Sequence, residues 1–185
     1  MKRRTMLTLG VGAAAYALTG HRPALADLEP DAQWLVYRRY SLQIVGQRDN
    51  EIVSAYAGAV VDVLARFLPD SRAQLARAAD ARRVGVLIAT NQQDVALMEV
   101  ESAEALLFAK PPFEDIRDVP LRLITSFGGH VLLCRPDFPP GHAYLLARTL
   151  AEHKEALPTP ARAPEGAIKA HRGSHAFFAG EAPPA

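Results

Sequence analysis

Cysteine is nearly absent from this chain of 185 residues: Cys134 is the single one, so no internal disulfide can form and a disulfide-stapled scaffold is excluded. A one-cysteine chain is still compatible with an exported protein. Surplus positive charge is missing as well once the N-terminus is set aside. Of 21 Lys and Arg, four (Lys2, Arg3, Arg4 and Arg22) fall within residues 1–26, leaving 17 basic residues against 20 acidic ones, a balance of about −3 with His neutral. No run of Arg and Lys interleaves with aromatics, so the electrostatic footprint of a nucleic-acid binder is lacking and no nucleic acid is expected as a partner. Internal repeats, a phosphate-cradling loop and a nucleophile-base motif are also missing, which points away from an enzyme, and no cofactor is implied. Long hydrophobic runs are absent too. The longest apolar stretch, residues 7–19, falls well short of the roughly 20 residues a spanning helix needs.

That stretch has a different reading. Lys2-Arg3-Arg4 forms a basic n-region, residues 7–19 an apolar h-region and Ala24-Leu25-Ala26 a small-x-small cleavage site, so residues 1–26 are expected to be a cleaved export signal. The Arg3-Arg4 pair resembles a twin-arginine signal, with Lys2 where Ser or Thr is usual. The expected location is the periplasm. The remainder is long enough for one core, expected over residues 27–157.

Along that core, residues 27–32 are a polar lead-in and 34–39 a short approach to a first strand at 40–45, which Gly46 ends. Between Glu51 and Leu68, Ile52, Tyr56, Val60, Val63, Leu64 and Phe67 recur at helical spacing and Pro69 stops the run. Gly58 inside this helix costs about 1 kcal/mol against Ala, and implies close packing or a ligand near the backbone. Residues 72–79 are rich in alanine yet sit between a Pro-terminated helix and Asp80, which favours a strand. Asp80 suits the N-cap of a helix to Ala89. Residues 91–136 then contain a polar turn, a buried strand at 95–98, a helix at 102–109 stopped by Pro111-Pro112, and strands at 121–127 and 131–135 separated by Gly128-Gly129. A helix at 141–157 follows, ended by Pro158 and Pro160. Residues 158–185, rich in Pro, Ala and Gly, read as a C-terminal tail with only Ile168, Phe177 and Phe178 to anchor it. Strands alternating with helices predict an α/β fold: three layers around a doubly wound, mostly parallel sheet covered on both faces.

The motifs along this pattern resemble the TAXI-type solute receptors of tripartite ATP-independent periplasmic (TRAP) transporters, which have the two-lobed type 2 periplasmic binding protein fold. The family's strand ending in Gly before a helix with its own early Gly is matched by Ile44-Val45-Gly46 and Gly58-Ala59-Val60-Val61. Its Gly-Glu-x-Asp-hydrophobic-Ala turn is matched by Gln92-Gln93-Asp94-Val95-Ala96-Leu97. Its Pro-Phe motif and Arg-containing strand correspond to Pro112-Phe113 and Leu121-Arg122-Leu123-Ile124, and its next strand to residues 131–135 with Asp137 behind. Its hydrophobic-x-x-His-Pro-Gly-Ala before paired aromatics corresponds to Ile168-Lys169-Ala170-His171-Arg172-Gly173-Ser174 before Phe177-Phe178. Two departures stand out. Gln47-Arg48-Asp49-Asn50 replaces the family's glycines, with Ser54-Ala55 at its tyrosine positions, and Arg135-Pro136-Asp137 leads directly to a closing helix where the second lobe is normally inserted.

The resemblance implies a single receptor lobe that binds a small solute, a dicarboxylate or an amino acid, and works with transporter membrane subunits. One lobe leaves an open face, so binding is expected to be weak unless a homodimer or another periplasmic protein supplies the missing wall. In an open α/β sheet, ligands sit at the carboxyl ends of the strands, which places the candidate contacts on Arg48, Asn50, Ser54 and Glu99. Arg48 suits a carboxylate, Asn50 and Ser54 add hydrogen bonds, and the first turn after Asn50 offers backbone N–H groups to an anion. Glu99 and Glu101 repel an anion. Competing assignments are a solvated loop for Arg48 and Asp49, and helix capping for Asn50 and Ser54. The rival function is an accessory protein-interaction module that kept the lobe without a solute. His130, Cys134, His171 and His175 match no compact metal-ligand spacing, so no metal is expected.

Overall fold

A computed structural model of the chain describes residues 41–184. The expected signal at 1–26 and the segment 27–40, with its expected lead-in and the start of the first strand, lie outside the described residues. The described chain runs β1 (Gln43–Gln47), α1 (Glu51–Phe67), β2 (Gln74–Ala78), α2 (Ala81–Ala89), β3 (Val95–Glu99), α3 (Val100–Leu107), β4 (Arg122–Ser126), β5 (His130–Cys134), α4 (Pro140–Glu152) and α5 (Arg172–Phe178). Single 3-10 turns occupy Pro69–Ser71 and Lys154–Ala156.

Local chemistry sets the helix starts. Asn50 holds an extended backbone while its side chain accepts from the N–H groups of Ile52 and Val53, and Asp80 accepts from Arg83 N–H, so both helices begin where a short polar side chain satisfies their first donors. The alanine-rich 74–78 segment is a strand. Pro69–Ser71 and Arg72, at φ 47°, turn the chain back so that Gln74 N–H reaches the Leu42 carbonyl, and parallel pairing with β1 overrides helix propensity. α3 begins at Val100, earlier than its apolar spacing suggests, directly after β3.

The five strands form one mixed sheet in the order β2-β1-β3-β5-β4. β1 pairs parallel with β2 and β3, whereas β5 pairs antiparallel with both β3 and β4. Four strands therefore point one way, and β5 departs from the expected parallel direction. The cause is local: Gly128, at φ 72°, lets a tight turn close with Phe127 N–H on the His130 carbonyl, and so short a link cannot make the crossover that parallel strands require.

Strand alternation divides the core in two. Ile44, Leu97, Leu132 and Cys134 pack with Val53, Val60 and Leu64 of α1 and Ala143, Leu146 and Leu150 of α4. Val45, Ala96, Met98 and Leu133 pack on the other face with Val84 and Ile88 of α2, Ala103 and Leu106 of α3, and Phe113 and Ile116. Helices thus flank both faces, as expected for an α/β fold. Cys134 is buried, and burial pushes its thiol pKa up, which suits a small hydrophobe.

Residues 158–184, expected as a tail, are built into this fold. Leu123 and Lys169–His171 exchange backbone bonds at the outer edge of β4 (3.0 and 2.8 Å), and Ser126 and Arg162 bond each other at 3.1 and 2.9 Å. Ile168 joins the second core, and the buried Ser174 hydroxyl donates to the Ile124 carbonyl. α5 lies against α4 so closely that a Cβ on Gly173 would collide with the Pro140 carbonyl oxygen.

Candidate functional site

The strand order 2-1-3 makes β1 and β3 neighbours with their carboxyl ends on the same side. The chain leaves β1 through α1, over one core, and leaves β3 through α3, over the other, which makes the gap between the two strand ends the topological switch point of the sheet. Asn50 and Glu99 meet across it. The Asn50 side-chain amide donates to Glu99 Oε1 at 3.0 Å, while its Oδ1 takes Ile52 and Val53 N–H at 3.0 and 3.2 Å. One side chain therefore both caps α1 and ties β1's end to β3's. Two backbone donors expected to face an anion are consumed by that cap.

The other expected residues are spread more widely. Arg48 is exposed, and its backbone N–H bonds the Ala78 carbonyl at 2.9 Å, which places it between the ends of β1 and β2. Ser54 is half-buried one turn along α1, with its N–H on the Asn50 carbonyl at 3.0 Å. Asn50 and Glu99 are thus brought together. Arg48 and Ser54 flank them. Glu101 lies in the first turn of α3.

Three further residues complete the cluster. Because β5 runs antiparallel, its first residue, His130, is the register partner of Glu99. Tyr56 of α1 stacks on the imidazole with ring centroids 4.3 Å apart and planes 18° from parallel. The Tyr56 hydroxyl lies 2.6 Å from Thr159 Oγ1, so the C-terminal segment reaches the site. His130 Nε2 is buried and makes no hydrogen bond among the described residues. Burial lowers the His130 pKa from its ordinary value, with the Glu99 carboxylate opposing that shift, and the ring is neutral at neutral pH.

Sequence reasoning missed Tyr56 because it reads as part of α1's apolar stripe. It missed His130 because only the reversed direction of β5 carries that residue to the ligand-facing end. Gln47, at the end of β1, alternates with Gly46 onto the opposite face; it is buried, with Oε1 unpartnered among the described residues. Gly58 was expected to mark close packing or a ligand near the backbone, and close packing does not hold: a Cβ there would meet nothing within 4 Å.

Chemically, the cluster combines a half-buried carboxylate, a neutral imidazole with a nitrogen unused among the described residues and an aromatic face, with an exposed guanidinium two residues before Asn50. Such a set favours a ligand that presents a hydrogen-bond donor to Glu99 and any carboxylate toward Arg48. His171 is used structurally: its Nδ1 accepts from Gly173 N–H at 3.2 Å as the cap of α5, and burial lowers its pKa. Among the described residues no group of three or more His, Cys, Asp or Glu is arranged to hold a metal ion. No described helix is long and apolar enough to cross a membrane. No family model matches the chain, and neither characterised proteins nor solved structures yield a match.

Proposed function

We propose that this chain is an exported periplasmic solute-binding-like protein, a single lobe of the type 2 periplasmic binding protein fold resembling a TAXI-type TRAP receptor. It takes a small solute, a dicarboxylate or an amino acid, at the carboxyl ends of β1 and β3, weakly or together with a partner. The observation that carries this reading is the Asn50–Glu99 hydrogen bond across the β1–β3 gap, with the unused buried nitrogen of His130 at Glu99's register position. The strand order and the helices on both faces support the lobe assignment. β5 connects to α4 through residues 135–139, too few to carry a second lobe.

One lobe cannot enclose a small molecule, so the affinity expected is in the millimolar range, tightening where a second copy or a partner supplies a wall. Calorimetric and thermal-shift titrations with dicarboxylates and amino acids test this: saturable heat or stabilisation by one class supports it, and the effect must disappear in Glu99→Gln. The alternative is an accessory periplasmic module that binds a protein and no solute. It draws support from Asn50, whose side-chain groups are already spent on the cap and on Glu99. Silence across the whole panel, together with a periplasmic protein that co-purifies, would establish that alternative.

A further inference from the structure

The C-terminal segment holds Thr159 firmly where it meets the candidate site. Leu157 and Ala161 are buried in the first core, Arg162 exchanges backbone bonds with Ser126, and the Thr125 hydroxyl donates to the Arg162 carbonyl at 2.8 Å. Pro158 and Pro160 fix φ on either side of Thr159. The threonine is thereby pinned over the turn between β4 and β5, its Cγ2 3.7 Å from where a Cβ on Gly128 would lie.

Tyr56 is the movable partner. Its half-buried ring stands on α1 with His130 stacked flat against it, Phe127 tilted at 53° with centroids 6.3 Å apart, and its hydroxyl 2.6 Å from Thr159 Oγ1. Ring contacts let the tyrosine slide or turn, whereas the hydroxyl bond is directional and sets its place. Against this ring, His130 Nε2 is closed off from solvent with no hydrogen bond among the described residues. A neutral imidazole tolerates that position; an imidazolium would bury an unsatisfied N–H.

We propose that Thr159 is a positioning residue of the candidate site: its hydroxyl fixes the Tyr56 ring as a cover on His130, and the cover keeps the imidazole dry and uncharged beside Glu99. Few titratable groups face that imidazole. β3 presents Glu99 and α1 presents Tyr56, while residues 126–129 and 158–161 carry none. Glu99 favours the imidazolium, so burial under the cover is what holds the His130 pKa below its ordinary value. The consequence for binding rests on the solute reading: without an imidazolium beside it, Glu99 is left to the ammonium group of an amino acid, and acid withdraws it by charging His130.

The test follows the His130 imidazole in the full chain, by NMR titration and by its rate of acylation with diethyl pyrocarbonate read from peptide masses. Thr159→Val and Tyr56→Phe delete the same bond from opposite ends. Each is expected to raise the His130 midpoint toward the ordinary value and to speed acylation about fivefold, with no further change when the two are combined. Thr159→Ser keeps the hydroxyl and is expected to match the unsubstituted chain. His171, buried at the start of α5, is expected to keep its midpoint and reactivity throughout, which separates loss of the cover from general loosening. Should Thr159→Val fail to fold, Tyr56→Phe carries the test. An unchanged His130 in Tyr56→Phe, a Thr159→Ser variant that behaves like Thr159→Val, additive effects in the double variant or equal changes at His171 overturn the proposal. Succinate and alanine are titrated separately: if neither shifts the amides of Asn50 and Glu99, the solute reading fails, and the His130 results still decide the positioning role.

Discussion

Asn50 is the residue on which most of the candidate site depends, since its side chain caps α1 and bonds Glu99 at the same time. Asn50→Ala is expected to destabilise the fold by about 1–2 kcal/mol, the cap alone accounting for most of it. Asn50→Asp keeps the cap but sets a second carboxylate against Glu99, so it is expected to recover stability as the pH falls and the pair takes up a proton. Chemical denaturation at two pH values measures both. Histidine gives a second residue-scale expectation. Burial holds His130 and His171 below their ordinary pKa, and Arg172 and Arg122 add to the effect at His171. An unfolded histidine protonates near pH 6.5, roughly, while the folded one resists, so the unfolded state binds more protons and stability falls as pH drops through that value. Above about pH 7.5 this contribution is flat. His171→Asn, which can still cap α5, is expected to lower the melting temperature at pH 8 through lost contact with Phe138, yet to lose less on moving to pH 5.

At the scale of elements, glycines separate packing from freedom. Gly173→Ala forces a methyl onto the Pro140 carbonyl, a contact with backbone that cannot step aside, and is expected to cost about 3 kcal/mol or more by detaching α5. Gly58→Ala meets open space within α1 and should stabilise by about 0.5–1 kcal/mol. Thermal melts of the two variants check the contrast. The sequence made α1, α2 and β3 legible because their signals are local: Asn50 and Asp80 caps, Pro69 as a stop, and an apolar run buried on both faces. That Asn50 and Glu99 share one end of the sheet was legible for a related reason, since the ends of parallel strands can be located once the strands are. His130 was hidden because a hairpin's direction decides which end of the sheet it occupies, and Thr159 because a Pro/Ala/Gly-rich composition looks like a linker whatever it packs against.

For the whole molecule, the C-terminal segment matters most to integrity. Truncation after Leu157 removes Ile168, His171, Ser174 and the backbone partners of Leu123 and Ser126, opening one edge of the sheet and both cores' margins. The truncated chain is expected to lose its cooperative melting transition and to aggregate, as judged by calorimetry and light scattering. A dispensable tail would leave the melt unchanged. The same segment brings Thr159 to Tyr56, so fold integrity and the candidate site are linked through it.

The central claim is that the gap between β1 and β3 receives a small solute. It is tested most directly by two-dimensional amide NMR of the full chain titrated with amino acids and dicarboxylates. Saturable shifts confined to Arg48, Asn50, Ser54, Tyr56, Glu99 and His130, and absent in Glu99→Gln, are the predicted result. Shifts that map elsewhere on the sheet, or none with any solute at concentrations well above the millimolar range, would contradict it.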